Sequence, residues 1–205
     1  MFLTRKGHVF TCGTNGHGQL GHGDTLDRPT PTCIELLASI GSVVQIAAGP
    51  SYALAVSDDG TLYSFGSGTN FCLGHGEQQN ELQPRAVQSF RRKGINVARV
   101  SAGNEHVVAL DSTGYVYTWG KGYCGALGHG DEIDKTTPSH LTSLKSQLAV
   151  QHTSMENVES AGTEVNFLHS AQTFAHRISS KLPFSFIADQ KTETVLLRER
   201  ERAKY

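Results

Sequence analysis

The chain has little charge imbalance, one tryptophan and two methionines; 18 Lys+Arg stand against 19 Asp+Glu in 205 residues. A formal charge of −1 gives no global electrostatic case for a polyanion or an anionic membrane, and leaves only local patches to argue from. There is no apolar run of transmembrane length and no apolar leader at the start. The four cysteines, Cys12, Cys33, Cys72 and Cys124, include no C-x-x-C pair. Free thiols in a reducing cytoplasmic or nuclear setting are therefore expected, with no membrane attachment. Glycine is scarce in one half only: of 22 glycines, Gly162 alone lies beyond Gly130. That shift predicts a boundary near residue 147.

Up to that boundary the chain repeats itself. Residues 7–24, 60–77 and 114–131 align with their glycines in register, 53 and 54 residues apart. Fixed-period self-similarity has to be settled before any motif is read for chemistry. Each copy opens on a glycine (Gly7, Gly60, Gly114) and continues through Val9-Phe10, Leu62-Tyr63 or Val116-Tyr117 to a second glycine (Gly13, Gly66, Gly120). A loop then closes on Leu-Gly-His-Gly, and a proline follows at a constant distance, as Pro31, Pro84 and Pro138. Short runs of β-branched and aromatic residues between glycines predict strands, here apolar on both faces, so that a sheet must pack on each side. Proline suits an edge strand or a strand's first residue.

The other half of the unit also recurs. Val44-Gln45-Ile46-Ala47-Ala48-Gly49 matches Ala98-Arg99-Val100-Ser101-Ala102-Gly103, and Ala53-Leu54-Ala55-Val56 matches Val107-Val108-Ala109-Leu110. About four strands per unit of some 50 residues is what a β-propeller blade requires. The expected fold is all-β: a partial β-propeller of about three four-stranded blades. Units fall near 7–59, 60–113 and 114–147, the last incomplete, and residues 148–205 form a low-complexity, largely disordered or partly helical tail. Met1–Lys6 occupies the place of 54–59 and 108–113, so the chain starts midway through a repeat, as a fragment or an alternative product of a longer protein does.

These residues carry a resemblance. The glycine-bounded strand, the run Asn15, Gly18, Gln19, Leu20, Gly21, His22 and Gly23, the following proline, and the turns Gly49-Pro50-Ser51-Tyr52 and Gly103-Asn104-Glu105-His106 resemble the repeat of the regulator of chromosome condensation family. The resemblance covers roughly residues 1–150 and implies a seven-bladed propeller, of which this chain supplies fewer than half the blades. By resemblance the partner is a protein, with a small GTPase or chromatin as family possibilities. Tyr52, Asn104, Glu105 and His106 are the candidate partner-binding residues, with a structural role for His106 as the alternative.

Other chemistry finds little support. His22, His75 and His129 suggest a zinc site beside Cys72 and Cys124, but equivalent positions in successive blades are far apart and zinc ligands must converge within about 2.0–2.3 Å of one ion. Each is expected to hydrogen-bond within its own blade. The glycine-rich loops lack the Gly-Lys-[Ser/Thr] ending of a phosphate cradle. No metal, cofactor or catalytic residue is assigned, and the chain is not expected to be an enzyme. The leading function is a non-catalytic protein-binding scaffold; the alternatives are guanine nucleotide exchange on a small GTPase, as part of a longer protein, and ultraviolet-B photoreception. The family's plant ultraviolet-B receptor branch carries tryptophans in Gly-Trp-Arg-His-Thr motifs, where this chain has Pro50 and Asn104. Its single tryptophan, Trp119, aligns with Cys12 and Phe65 at a strand-core position, which Cys12 is expected to fill as a small apolar residue. Three blades cannot close a seven-bladed ring, so the end sheets are expected to turn residues such as Phe10, Tyr117 and Trp119 to solvent.

Overall fold

The computed structural model describes residues 1–142, whose strands form three antiparallel sheets. The first holds β1 (Phe2–Leu3), β2 (Val9–Gly13) and β3 (Arg28–Cys33). The second holds β4 (Val43–Ala48), β5 (Tyr52–Ser57), β6 (Leu62–Gly66) and β7 (Glu81–Ala86) in that spatial order. The third repeats it with β8 (Val97–Ala102), β9 (His106–Asp111), β10 (Val116–Gly120) and β11 (Lys135–His140). The expected β-propeller blades are therefore present, with one correction: the first sheet has three strands, because β1 stands where β5 and β9 stand and nothing among the described residues takes the place of β4 and β8. The expected division at residue 147 and the tail over 148–205 lie outside the described residues.

Repeated sequence gives repeated register. The last strand of each sheet is an edge strand that carries the proline: Pro31 in β3, Pro84 in β7, Pro138 in β11. A residue without an N–H costs no ladder bond on an open edge. All three edges slip register at the same place, opposite Thr11/Gly13, Ser64/Gly66 and Thr118/Gly120. Two short helices, α1 (Glu35–Ile40) and α2 (Gln88–Arg92), connect each edge strand to the next sheet. The sequence pattern shows neither, since fewer than two turns cannot display a 3.6-residue period. Each is held by one buried side chain, Leu37 in α1 and Phe90 in α2.

Stacking of the sheets follows from strands that are apolar on both faces. Every residue of β5 and β6 is buried, with alternate side chains entering two different cores. Ala53, Ala55, Tyr63 and Phe65 face the first sheet with Val9 and Ile34, while Tyr52, Leu54, Val56 and Leu62 face the third with Val107, Tyr117 and Trp119. The Gln45 side chain ties the two inner strands together, donating to the Val100 carbonyl at 3.0 Å and accepting its N–H at 2.9 Å.

Two expectations are overturned here. Trp119 is fully buried and Tyr117 is 7% exposed, because both point back toward the second sheet and not toward an open end. Phe90 caps them, its ring 5.1 Å from Tyr117 and 6.0 Å from Trp119 in edge-on geometry. Phe10, at the other end, is half-buried. Cys12 is also half-buried, where Phe65 and Trp119 are wholly buried, because no sheet among the described residues packs over it.

The Trp119 indole N–H donates to the Cys72 carbonyl at 2.9 Å, across the boundary between sheets. Trp119→Phe keeps an aromatic ring but strands that carbonyl, and is expected to cost about 1–3 kcal/mol. Trp119→Ala also opens a cavity and should cost about 3–5 kcal/mol. Urea unfolding of the three proteins checks both the order and the sizes.

Candidate partner-binding face

The antiparallel order brings the turn 49–51, the turn 103–105 and the long loops 14–27, 67–80 and 121–134 to one end of the sheets. All four candidate residues, Tyr52, Asn104, Glu105 and His106, lie at this end, as do the three Leu-Gly-His-Gly segments.

Each such segment is locked by one hydroxyl. Thr11, Ser64 and Thr118 are buried mid-strand and donate to the carbonyls of Leu20, Leu73 and Leu127 at 2.7, 2.8 and 2.8 Å. The same oxygens lie 2.9 Å from Nε2 of His22, His75 and His129. A hydroxyl has one proton, and here the leucine carbonyl takes it, so the ring Nε2–H is the donor and the neutral imidazole keeps its bare nitrogen at Nδ1. His75 Nδ1 is buried and has no partner among the described residues, which suits an unprotonated nitrogen. Burial holds all three histidines below their ordinary value, helped by Arg28 at His22, Arg85 at His75 and Lys135 at His129. These histidines thus close loops within their own blades. The hydroxyl partners are a repeated feature that the sequence pattern did not single out; the constant 11-residue spacing from hydroxyl to histidine is the signal that finds them.

The glycines ahead of His22 and His75 serve the neighbouring blade. Gly74 has φ of 76°, and a Cβ there would stand 2.9 Å from the Trp119 indole nitrogen. Gly21, with φ of 78°, sits equally close to the Phe65 ring. The loop backbone is thus the surface on which the next blade's aromatic rests.

Tyr52 and His106 are interior residues. Tyr52 is 3% exposed and its one hydroxyl proton is shared across the blade boundary between the carbonyls of Gly103 at 2.8 Å and His106 at 3.0 Å. Burial, with Cys72 beside it, pushes the phenol well up, and burial pushes the Cys72 thiol up to about 12. His106 is 8% exposed, lies over Gly103, and is held below its ordinary value by burial against the opposing pull of Glu105. A Cβ on Gly49 would stand 2.1 Å from the Tyr52 ring, which explains the invariant glycine of the two turns within this chain. The structure therefore gives Tyr52 a blade-joining role and leaves Asn104 exposed and Glu105 half-exposed at the surface.

Glu105 is the hub of the surface group. Its carboxylate accepts from Asn70 Nδ2 at 2.9 Å and from Lys121 Nζ at 2.8 Å, joining the second blade's loop to the third. The side chains of both ions are well exposed, so the pair orients more than it stabilises. Next to Asn70 stands Phe71, a residue that sequence reading missed. Asn70 and Phe71 have φ of 56° and 59°, and the other copies place glycine at the second position, as Gly18 and Gly125. A left-handed phenylalanine is uncommon and carries a backbone cost of about 1–2 kcal/mol. Tyr123, on the third blade's loop, is 68% exposed.

The opposite end offers a shallow cleft of about 300 Å³ bordered by Val44, Asp58, Asp59 and Asn96. Asp59 there is committed to a turn: the Ser57 hydroxyl and the Thr61 N–H hold its carboxyl below its ordinary value. Among the described residues no cluster of three His, Cys, Asp or Glu side chains has metal-binding geometry, all four cysteines are free, and no helix is long and apolar enough to cross a membrane.

The four depressed histidines make stability depend on pH with a definite sign. A histidine whose folded value lies below the unfolded 6.5 binds fewer protons folded, so its contribution is complete above pH 6.5 and is lost as pH falls below it. The urea midpoint should fall from pH 7.5 to pH 5.5. His75→Gln, whose amide can donate to Ser64 without titrating, should flatten that fall.

Comparison with known proteins agrees with this geometry. The family model for the Regulator of chromosome condensation (RCC1) repeat matches residues 6–56, 59–110 and 113–155. The Ultraviolet-B receptor UVR8 of Arabidopsis thaliana is 40% identical over 135 residues, covering 66% of this chain and 30% of the receptor. The E3 ubiquitin-protein ligase HERC2 of Homo sapiens is 35% identical over 149 residues, 72% of this chain but 3% of the ligase. Among solved structures, Prp20p of Saccharomyces cerevisiae matches with 28% identity and a TM-score of 0.60 over 68% of this chain and 35% of that one. The chain spans less than a third of the length of these curated relatives. Three matched repeats, the propeller sheets and their shared loop geometry together show that this chain belongs to the RCC1 repeat family.

Proposed function

We propose that this chain is a non-catalytic protein-binding scaffold that docks its partner on the loop end of the blades. The contacts are Asn104 and Glu105, joined by Asn70, Phe71 and Tyr123. The observation that carries this reading is Phe71, which holds a left-handed backbone where the other two loops use glycine. Strain retained beside exposed side chains fits a surface kept for recognition, since folding alone gains nothing from it. Tyr52 and His106 contribute indirectly, by fixing the turn that presents Asn104 and Glu105.

Relatives widen the choice of partner. Prp20p has been studied for its binding to Gsp1p and histones, and this likeness favours, as a second reading, a small GTPase or chromatin as the surface's target within a longer protein. Such a role places the chain in the nucleus or cytoplasm. Photoreception of the UVR8 kind draws less support. Trp119 is buried alone against Phe90 and Tyr117, and the turn positions hold Pro50 and Asn104. One indole has no second indole to couple with.

The test uses the purified 205-residue chain as bait, with the captured protein identified and then titrated. Glu105→Arg with Asn104→Arg should weaken its binding at least tenfold, while Asp58→Arg at the opposite end should leave it unchanged. Phe71→Gly should weaken binding without lowering the thermal midpoint, because glycine relieves the backbone. The chain should neither speed nucleotide release from a small GTPase nor change its mass under ultraviolet-B light. Equal loss of binding from the opposite end would overturn this choice of face, and accelerated nucleotide release would move exchange to first place.

A further inference from the structure

Two large apolar side chains stand at the loop end of the third blade: Tyr123 and Ile133 are 68% and 64% exposed. They are neighbours through the backbone. A Cβ on Gly122 would meet the Ile133 carbonyl oxygen at 2.5 Å, so the stretches 121–123 and 132–134 lie directly against each other. The Gly122 N–H donates to the Asp134 carboxylate at 2.8 Å and the Ile133 N–H to the Asp131 carboxylate at 3.1 Å, which fixes both stretches. The counterparts in the second blade, Thr69 and Gln79, are exposed although the third sheet stacks beside that blade. Leu26, at the place of Ile133 in the first blade, is 69% exposed with the second sheet beside it. Exposure at these positions therefore belongs to the repeat itself and owes nothing to a blade's place in the stack. Only the third blade fills both positions with large apolar side chains, since the first has Gly16 where Tyr123 stands.

Charge decides what such a patch can take. Every lysine and arginine at this end is already paired among the described residues: Arg28 with Asp24, Arg85 with Glu77 and Glu81, Lys121 with Glu105, and Lys135 with Asp131. Asp27, Glu132 and Asp134 are exposed carboxylates that make no ion pair among the described residues, and two of them flank Ile133. The Cys124 thiol and, after it, the Glu132 carboxylate push the Tyr123 phenol above its ordinary value, which puts Glu132 beside the ring. The exposed cations without a carboxylate partner among the described residues, such as Arg5, Lys6, Arg92 and Lys93, lie away from this end, at the opposite turns.

We propose that what docks on this patch is a basic segment of a partner protein, rich in lysine or arginine, with its apolar side chains on Tyr123 and Ile133 and its cations against Glu132, Asp134 and Glu105. An arginine there also gains from stacking on the Tyr123 ring. An acidic segment would bring its carboxylates against carboxylates that have no counter-ion, and like charges facing each other oppose association. A basic partner presupposes the loop-end docking face proposed above and adds the sign of its charge.

Fluorescence anisotropy of the full 205-residue chain with two labelled peptides, one alternating arginine with leucine and one alternating glutamate with leucine, reads the outcome. The arginine peptide should bind saturably and the glutamate peptide about tenfold more weakly or worse, with the gap narrowing as salt is raised. Glu132→Lys should weaken the arginine peptide by about tenfold, and Ile133→Ser should weaken it severalfold, which a purely ionic contact would not show. Both side chains are exposed, so the thermal midpoints should stay where they are. Asp58→Lys changes the net charge equally at the opposite end and should leave binding unchanged. Equal affinity for the two peptides, no saturable binding of the arginine peptide, or equal weakening by Glu132→Lys and Asp58→Lys overturns the proposal. If the partner captured by the chain loses affinity with the Asn104 and Glu105 double substitution yet binds through an acidic segment, the docking face stands and the basic partner falls. If no loop-end substitution weakens that partner, both fall.

Discussion

Everything in this molecule depends on sheets that are apolar on both faces. A strand such as β6, buried along its whole length, cannot exist in a lone sheet, because half of its side chains would face water. Stacking is consequently a condition of folding for each blade. The aromatic near the end of β6 and β10, Phe65 or Trp119, makes the stacking specific, since it needs a flat backbone beneath it. That demand is met by the glycine of the preceding blade's Leu-Gly-His-Gly loop, which lets the Trp119 ring approach within bonding distance of the Cys72 carbonyl. The loop in turn keeps its shape through the hydroxyl that holds the leucine carbonyl and the histidine together. Loop chemistry and blade packing are one structural problem.

This coupling explains what was legible from the residues alone. The period, the strands, the edge prolines and the propeller class can be read because each is written three times and each obeys a local rule. The role of the histidines was legible too, since positions repeated around a ring cannot converge on one ion. The direction in which an alternating strand faces was not legible. Val9 and Tyr63 meet in one core and Leu62 and Tyr117 in the next, but a period of two does not say which side of a sheet lies ahead and which behind. For that reason Trp119 and Tyr117 were expected at an open end, and the structure buries them against Phe90. The short helices escaped notice for a related reason: a single anchor, Leu37 or Phe90, leaves no pattern.

At the candidate site the division falls differently. The turns Gly49–Tyr52 and Gly103–His106 stood out by repetition, and repetition marks what the fold needs. Tyr52 and His106 duly serve the fold, while the proposed recognition surface takes the positions at which the copies disagree. Asn104 replaces Pro50, Glu105 replaces Ser51, and Phe71 replaces glycine. In a repeat protein the shared residues describe the scaffold and the departures describe the individual.

The same logic bears on the ends of the stack. Internal blades bury their two faces against neighbours of matching sequence, so interface strength is set by how well each copy keeps the repeated residues. Substituting cysteine for an indole at position 12 removes both ring area and a donor from one copy of that interface. At roughly 25 cal/mol per Å² of apolar surface, a ring difference on the order of 100–150 Å² corresponds to about 3–4 kcal/mol. A hydrogen bond adds about 1 kcal/mol. The identity of the side chain at position 12 therefore sets how tightly that face packs against any blade beside it.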